Sequence, residues 1–315
     1  MKSIVLIVPY IGKWPFWFDA YLISISKNPT VHWLFITDCG IPASFPDNVR
    51  FIPSTLQEVN KKIDSVLDTK VPLTPRKLCD IRPAYGKVFQ EYIKEYDFWG
   101  FCDVDIVWGD IRKFITNEML SNYDIISSRK EALSGHFTII RNNDKLNNYY
   151  KTIPNYDYLI RQKRYMWAEE QVFTKHLHSQ KNTTNTPKVF WNTILCNQEN
   201  GRDSHQEYYL DKWLWKEGKM LELQNNQPVN EVMYLHFINW KRTMKYSEIT
   251  YKDNPKQFYI SYKGIHLETH SKFTKKLNRF KNLYDGYYVL VRRIKLKKKM
   301  MSFKKRVMNR LSRII

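Results

Sequence analysis

The first half of the chain alternates short apolar runs with longer amphipathic stretches. Ile4–Val8, His32–Thr37 and Val49–Ile52 are apolar and rich in β-branched or aromatic residues, so each predicts a strand. Between and after them, Phe16–Ser26 and residues 55–68 have the residue spacing of helices. Strands that alternate with helices predict an α/β domain with a mostly parallel sheet.

The same alternation continues to about residue 180. Arg76–Tyr96 predicts another helical stretch, Phe98–Val104 a buried strand, and Ile125–Ser128 and Phe137–Arg141 two more strands. Met166–Phe173 has the character of the first turns of another helix, and the pattern beyond it is irregular. Ligands of such sheets bind beyond the carboxyl ends of the strands, so the residues that follow each strand are the candidates for function.

Composition excludes several classes of protein. The 315 residues are 43% hydrophobic, which is enough for a packed core and too much for a disordered chain. The longest apolar runs fall far short of the ~20 residues that a membrane-spanning helix needs, and the N-terminal run is too short for a signal peptide. The four cysteines are scattered without metal-ligand spacing, which favours a reducing, cytoplasmic location.

The net charge of +20 is concentrated at the C-terminus. Residues 272–315 contain sixteen Lys or Arg and one acid, Asp285, so this segment has a charge of +15 and leaves +5 for residues 1–271. The contrast predicts a main domain over residues 1–270 and a separate basic tail over residues 271–315.

The tail also has an apolar stripe at helical spacing. A basic amphipathic helix of this kind commonly lies on an anionic membrane surface, so we expect residues 287–315 to bind one. The alternatives are a stripe that packs on the protein's own core, a nucleic-acid-binding arm, or a solvated charged helix. We expect no nucleic-acid partner, since the rest of the chain lacks a basic face or an aromatic binding motif. The stripe consists of Leu296, Met300, Phe303, Val307, Leu311 and Ile314.

The most informative segment is an apolar strand that runs directly into two acids separated by one residue. Asp103 and Asp105 lie at the end of the predicted strand Phe98–Val104, where both carboxylates can face the same crevice. Two hard oxygen ligands there suit Mg²⁺ or Mn²⁺ held together with substrate phosphates. The competing interpretation is that the acids cap a turn or form salt bridges. The position at the end of a strand, rather than the common tripeptide itself, favours a metal site.

Three features together resemble a GT-A glycosyltransferase: Pro9-Tyr10 at the end of the first strand, Asp38 after the second, and the segment FCDVDIVWGDI. The resemblance implies a GT-A (Rossmann-like) mixed sheet flanked by helices. It also implies that Asp103 and Asp105 bind Mn²⁺ or Mg²⁺, which bridges the diphosphate of a nucleotide-sugar. Pro9, Tyr10, Asp38 and Asp103 are then expected to lie at the nucleotide-sugar.

Two further segments are similar to parts of the same group. LCDIRPAYGKVF precedes the D-x-D motif where these enzymes have polar residues that contact the donor. HFINWKR is similar to the His-x(n)-Lys-x-Trp region of glycosyltransferase family 8, which implies that His236 is a third metal ligand and that Lys241 contacts the diphosphate. Lys77 and Arg82 are further cations that can neutralise a diphosphate leaving group, or be surface charges. On its residues alone, His236 can equally be a structural histidine.

The acceptor side of the predicted site lies between residues 134 and 170. Glu170, or alternatively Glu169, is expected to face the acceptor sugar and, in an inverting enzyme, to take the proton of its hydroxyl. The competing interpretation is that both acids only favour the N-terminus of a helix. Gly135 allows close approach of the backbone to a sugar, His136 can donate a hydrogen bond to it, and Trp167 can stack on its face.

The sequence therefore predicts a metal-dependent glycosyltransferase. It would transfer a sugar from a UDP-sugar to a saccharide or lipid-linked acceptor in bacterial surface polysaccharide synthesis, either lipopolysaccharide or capsule. Its expected location is cytoplasmic, peripheral on the inner face of the membrane. Two alternatives stay open: a non-enzymatic peripheral membrane or nucleic-acid-binding adaptor, and a metal-dependent nucleotidyltransferase or phosphohydrolase.

Overall fold

The chain divides into two units, Met1–Leu267 and Glu268–Ile315. A computed structural model describes residues 1–180, 186–191, 212–224, 227–238, 240–242, 244–261 and 263–267, and positions 296 and 300. Of the predicted tail, Leu296 and Met300 are helical and exposed, and the other residues of its apolar stripe lie outside the described residues. Among the residues that are described, no helix has the length and apolar character needed to cross a membrane.

The main sheet has seven strands in the order β3-β2-β1-β4-β7-β6-β8. The strands β3, β2, β1 and β4 run parallel to one another, whereas β7 runs antiparallel to both β4 and β6. The sheet is therefore mixed, and the predicted α/β class with a mixed sheet flanked by helices is confirmed. Its strands are β1 (Ile4–Tyr10), β2 (Val31–Thr37), β3 (Val49–Pro53), β4 (Phe98–Cys102), β6 (Ile125–Ser127), β7 (Phe137–Arg141) and β8 (Val189–Phe190).

Both faces of this sheet are covered, which is why its strands are continuously apolar rather than alternating. Val5 and Ile7 of β1 belong to one buried cluster, and Ile4, Leu6 and Val8 belong to the cluster on the opposite face. Alternate side chains of a strand point to opposite faces, so each strand contributes to both cores. Because both faces are covered, the polar residues that follow the strands are the ones available to bind a ligand.

Short helices cover the sheet. They are α1 (Phe18–Ser26), α2 (Leu56–Leu67), α3 (Leu78–Ile81), α4 (Tyr85–Val88), α5 (Gln90–Ile93), α6 (Ile111–Phe114), α7 (Asn117–Asn122), α8 (Asp144–Asn147), α9 (Tyr156–Arg161) and α10 (Phe173–Ser179). The helical stretch expected over Arg76–Tyr96 is present, but it is divided into α3, α4 and α5. A 3₁₀ turn at Arg82–Ala84 separates α3 from α4, since Pro83 has no amide hydrogen to donate within a helix.

A second sheet, which the sequence pattern did not predict, lies in the region after residue 211. Its six strands have the order β11-β10-β9-β14-β15-β13. A separate pair joins β12 (Tyr234–His236) antiparallel to β5 (Ile106–Trp108), with His236 opposite Ile106. This pairing brings His236 beside the residues that follow β4. The six strands are β9 (Lys212–Lys216), β10 (Lys219–Gln224), β11 (Gln227–Val232), β13 (Tyr246–Ser247), β14 (Gln257–Ser261) and β15 (Gly264–His266).

Candidate active site

A cavity of about 560 Å³ lies at the carboxyl ends of β1 and β4. This is the edge of the sheet where α/β proteins bind their ligands. Most of the residues predicted from the sequence line it. They are Pro9, Tyr10, Arg82, Asp103, Asp105, Gly135, His136, Trp167, Glu169, Glu170, His236 and Lys241.

Three side chains of the cavity form a cluster that could hold a metal ion. Asp103 and Asp105 follow β4, and β12 supplies His236; one ligand atom from each lies within 4.8 Å of the others. His236 Nε2 is 3.9 Å from Asp103 Oδ2 and 3.6 Å from Asp105 Oδ1. The amide of Phe237 donates to the Asp105 carbonyl at 3.0 Å, which ties the two chain segments together. Two carboxylates and an imidazole are ligands that suit Mn²⁺.

Each carboxylate of the cluster is held from outside by a cation. Arg82 Nη2 is 2.6 Å from Asp103 Oδ1, and Lys241 Nζ is 2.7 Å from Asp105 Oδ2. These contacts leave the other oxygen of each acid facing His236 Nε2. The salt bridges expected under the competing interpretation are therefore present, and they orient the acids toward a common point as supporting residues around metals commonly do.

Asp105 is buried and stays ionised because of its neighbours. Burial would raise the pKa of its carboxyl group, but His236 and Lys241 outweigh burial and lower that pKa well below its ordinary value. A carboxylate that keeps its charge in a buried position is ready to bind a cation without first losing a proton.

His136 packs against the metal-ligand candidate His236. The two rings are stacked, with centroids 4.3 Å apart and an interplanar angle of 21°. A hydrogen bond of 2.7 Å joins His136 Nδ1 and Tyr234 Oη, and Tyr234 Oη also donates to Ser128 Oγ. Although His136 lines the cavity as expected for a sugar contact, its stacking also fixes the ring plane of His236.

Glu169 differs from the other acids of the cavity. It lies in a π-helix, Ala168–Val172, and is almost fully buried. Burial raises the pKa of its carboxyl group to about 7, although Arg82 and a hydrogen bond from Tyr165 oppose the rise. Tyr165 donates to Oε1 at 2.6 Å, whereas Oε2 accepts no hydrogen bond from the described part of the chain. Short π-helical segments frequently occur at functional sites.

Glu170 holds the backbone of Gly135, which also lines the cavity. Its Oε1 accepts a hydrogen bond of 2.9 Å from the Gly135 amide and is 3.9 Å from Arg129 Nη1. Arg82 Nη1 donates to the Gly135 carbonyl at 2.6 Å. A Cβ at position 135 would lie 3.0 Å from Arg82 Nη1 and 3.1 Å from Glu170 Oε1, so glycine permits this close approach.

Two residues that were predicted to contact the donor do not line the cavity. Asp38 accepts a hydrogen bond of 2.7 Å from the amide of Gly12 and thereby joins the loops after β2 and β1. Lys77 is 1% exposed, and its ammonium group forms an ion pair of 2.8 Å with Asp80. Contact of either residue with the donor stays a prediction from the sequence, because neither lines the cavity in this structure.

Three residues of the site were missed from the sequence: Tyr165, Arg129 and Asp80. Tyr165 lies four residues before Glu169, and Arg129 approaches Glu170. Asp80 accepts hydrogen bonds from the amides of Met166 and Ala168, just before the π-helix. Tyr165 lies before the π-helix, and its contact with Glu169 depends on the left-handed turn at Trp167, so the spacing of the two residues is not a helical signal. The contacts of Arg129 and Asp80 join distant parts of the chain.

The sequence matches one family model, and its similarity to solved structures is weak. A family model described as a family of unknown function, DUF6625, matches residues 6–269. No curated protein matches the sequence. Among solved structures, the galactosyltransferase LgtC with donor and acceptor sugar analogues is 12% identical over 75% of this chain and 87% of its own, with a TM-score of 0.36. An active-site mutant of LgtC gives the same values. At such a TM-score, only the chain's own geometry can support a function.

The raised pKa of Glu169 predicts a pH dependence of stability. Between about pH 4.5 and 7 the folded protein keeps a proton that the unfolded chain has lost, so this group's contribution to stability falls as the pH rises through that window. Glu169→Gln removes the effect. We expect the unfolding free energy of the variant, relative to wild type, to rise by about 3 kcal/mol from pH 4.5 to 8. Denaturant unfolding at several pH values measures it, and a constant difference would contradict the assignment.

Proposed function

The chain belongs to DUF6625, a family of unknown function, and from the geometry of its cavity we propose that it is a metal-dependent glycosyltransferase. The donor would be a UDP-sugar and the acceptor a saccharide or a lipid-linked saccharide. The observation that carries the proposal is the cluster of Asp103, Asp105 and His236 at the carboxyl end of β4. The neighbouring Glu169, with a pKa raised to about 7, supports a reaction that moves a proton.

The ligand cluster fits a divalent metal. Its two acids come from one strand end and its imidazole from β12, so the three donors converge from two directions. When bound, Mn²⁺ or Mg²⁺ would polarise a diphosphate and stabilise the charge that develops on it. Arg82 and Lys241 hold the outer oxygens of Asp103 and Asp105, and their positive charges also favour an anionic ligand in the cavity.

Glu169 is the better candidate for proton transfer, although the sequence put Glu170 first. A general base works best with a pKa near the pH of the reaction. Glu169 Oε2 is the carboxylate oxygen that would accept the proton of the acceptor hydroxyl. The hydroxyl oxygen would then bond to the sugar carbon while the bond from that carbon to the diphosphate breaks, and UDP would leave with the electron pair. Glu170, which binds the Gly135 amide, would shape the sugar pocket.

The rim of the cavity offers a surface for the acceptor. The Trp167 side chain is 44% exposed and lies beside Tyr165, with ring centroids 4.8 Å apart. Exposed aromatic rings suit the apolar faces of sugars. We assign this pair to acceptor binding, because the metal-ligand candidates lie deeper in the same cavity.

The basic tail would bring the enzyme to its acceptor. Residues 272–315 have a net charge of +15, and each Lys or Arg near an anionic membrane contributes about 1 kcal/mol. Leu296 and Met300 are exposed apolar residues at helical spacing. Lipid-linked acceptors lie at such a surface, so we propose a cytoplasmic enzyme on the inner face of a bacterial membrane, active in lipopolysaccharide or capsule synthesis.

The metal-dependent activity can be tested by measuring UDP release from a set of UDP-sugars, with and without Mn²⁺. We expect release with one donor, only when Mn²⁺ is present and faster with a saccharide acceptor. Asp105→Asn should abolish it, because a ligand charge is lost from the cluster. The surface variant Asp157→Asn is the control and should match wild type.

Three outcomes would contradict the proposal. Asp105→Asn with wild-type turnover would exclude the metal site. Nucleotide breakdown that needs no acceptor would favour a phosphohydrolase or a nucleotidyltransferase. Membrane binding without any turnover would favour the adaptor.

The proton-transfer role can be tested by comparing Glu169→Gln with Glu170→Gln. Glu169→Gln should lower kcat by ~10²–10⁴, the usual range for an acid–base group, with little change in KM for the donor. Glu170→Gln should have the smaller effect on kcat, since an amide oxygen can still accept the Gly135 hydrogen bond. A rate within twofold of wild type for Glu169→Gln would contradict the assignment.

The role of the tail can be tested by deleting residues 287–315. The truncated protein should no longer sediment with anionic liposomes but should keep its turnover on a soluble acceptor. Binding of the full-length chain should weaken with salt, as the Debye length falls from about 10 Å at 0.1 M to 3 Å at 1 M. Neutral liposomes are the control. Equal sedimentation of both proteins would exclude the tail as an anchor, and loss of activity on every acceptor would show that it supports the enzyme itself.

A further inference from the structure

A buried ion pair lies beside the cavity without lining it. Lys77 Nζ is 2.8 Å from Asp80 Oδ2, and the two side chains are 1% and 0% exposed. The ammonium group also donates to the carbonyl oxygens of Leu159 at 2.9 Å and Arg164 at 3.1 Å. Buried charges are tolerated when hydrogen bonds satisfy them, and here both further hydrogen bonds of the ammonium group go to one distant segment of the chain.

The carboxylate of Asp80 binds the continuation of that segment. Its Oδ2 accepts from the Met166 amide at 2.9 Å, and its Oδ1 accepts from the Ala168 amide at 2.9 Å. Between these two amides lies Trp167, whose φ of 55° is in the left-handed region that side chains other than glycine seldom adopt. Such a conformation persists only where the surrounding structure holds it, and the two hydrogen bonds to Asp80 supply that support.

The chain segment that contains Lys77 and Asp80 also orients Asp103, one of the metal-ligand candidates. Asp80 lies in α3, and Arg82, the residue that follows α3, binds Asp103 at 2.6 Å. Asp80 of α3 therefore holds the segment that leads to Glu169, and Arg82 at the end of α3 holds Asp103. Any shift of the bonds to Asp80 moves Glu169 relative to the Asp103, Asp105 and His236 cluster.

We infer that Lys77 and Asp80 are positioning residues, which set the distance between the acid–base carboxylate and the bound donor. This inference rests on the proposed function. Neither side chain lines the cavity, so the pair acts through Tyr165, Trp167 and Glu169 rather than on the substrate. Misplacing a catalytic group by about 1 Å can cost ~10²-fold in rate, whereas a donor held by the cluster and its metal keeps its contacts.

The test uses the full chain with two variants, Asp80→Asn and the double variant Lys77→Met/Asp80→Asn. The single variant leaves a buried ammonium group without its partner carboxylate. The double variant removes both charges and keeps one oxygen that can accept a backbone amide. The control is Asn48→Ala, which removes three buried hydrogen bonds, to the carbonyls of Ile25, Asn28 and Val31, far along the chain from the site.

We expect the double variant to bind UDP with Mn²⁺ within twofold of wild type by calorimetry, with an unchanged KM for the donor. Its kcat should fall ~10²-fold, and at least one of the Met166 and Ala168 amides should lose protection from hydrogen exchange, because an asparagine at position 80 has one acceptor oxygen for the two amides. Asn48→Ala should lower Tm but keep its kcat and the protection of both amides. A kcat within twofold of wild type for the double variant would overturn the inference, as would equal losses of kcat and UDP binding.

Failure of the proposed function would look different. If the wild-type protein transfers no sugar, that function is wrong, and hydrogen exchange then decides the positioning role alone. Loss of protection confined to residues 159–170 in the double variant supports it, and unchanged protection of the Met166 and Ala168 amides overturns it.

Discussion

Repulsion among acids is the constraint on which this cavity depends. Asp103, Asp105, Glu169 and Glu170 all line it, and four buried or half-buried carboxylates cannot share one space without compensation. Three different environments provide that compensation. Arg82 and Lys241 hold the first two, burial leaves Glu169 with a pKa of about 7, and Glu170 accepts a backbone amide. The compensation leaves Asp105 charged and makes Glu169 able to exchange a proton near neutral pH.

The fold supplies these groups from separate parts of the chain. The end of β4 gives the two aspartates, the pairing of β12 with β5 adds His236, and the π-helix adds the two glutamates. Arg82 contacts two of these parts, since it binds Asp103 at the end of β4 and lies 3.9 Å from Glu169 in the π-helix, and it also binds the Gly135 carbonyl. The cavity therefore depends on how a few short elements are held together, which gives the buried pair of Lys77 and Asp80 its importance.

Much of this arrangement could be predicted from the sequence because its signals are local. Apolar runs gave the main strands, and the acids after Phe98–Cys102 lie at a strand end as expected. His236 could be proposed only through a resemblance, since no local pattern shows that β12 pairs with β5. The sequence did not show that the helical stretch over Arg76–Tyr96 divides after Ile81, and the second sheet has no clear alternation to reveal it.

The environments of Lys77 and of the two glutamates show the same limit. Lys77 was expected at a diphosphate because it is a cation near other candidates, yet its ammonium group is buried against Asp80. Whether a lysine faces a ligand or a buried acid depends on contacts with distant residues, here the carbonyls of Leu159 and Arg164. The unequal environments of Glu169 and Glu170 are likewise tertiary, although the two acids are adjacent in the sequence.

The central claim is that Asp103, Asp105 and His236 bind a divalent metal together with a diphosphate. Crystals grown with Mn²⁺ and UDP, and measured at the manganese absorption edge, test it most directly. The claim predicts one strong anomalous peak within ligand distance of all three side chains and of the diphosphate oxygens, and no such peak in crystals of Asp105→Asn. Bound UDP without a peak at the cluster, or a peak away from these three residues, would contradict it.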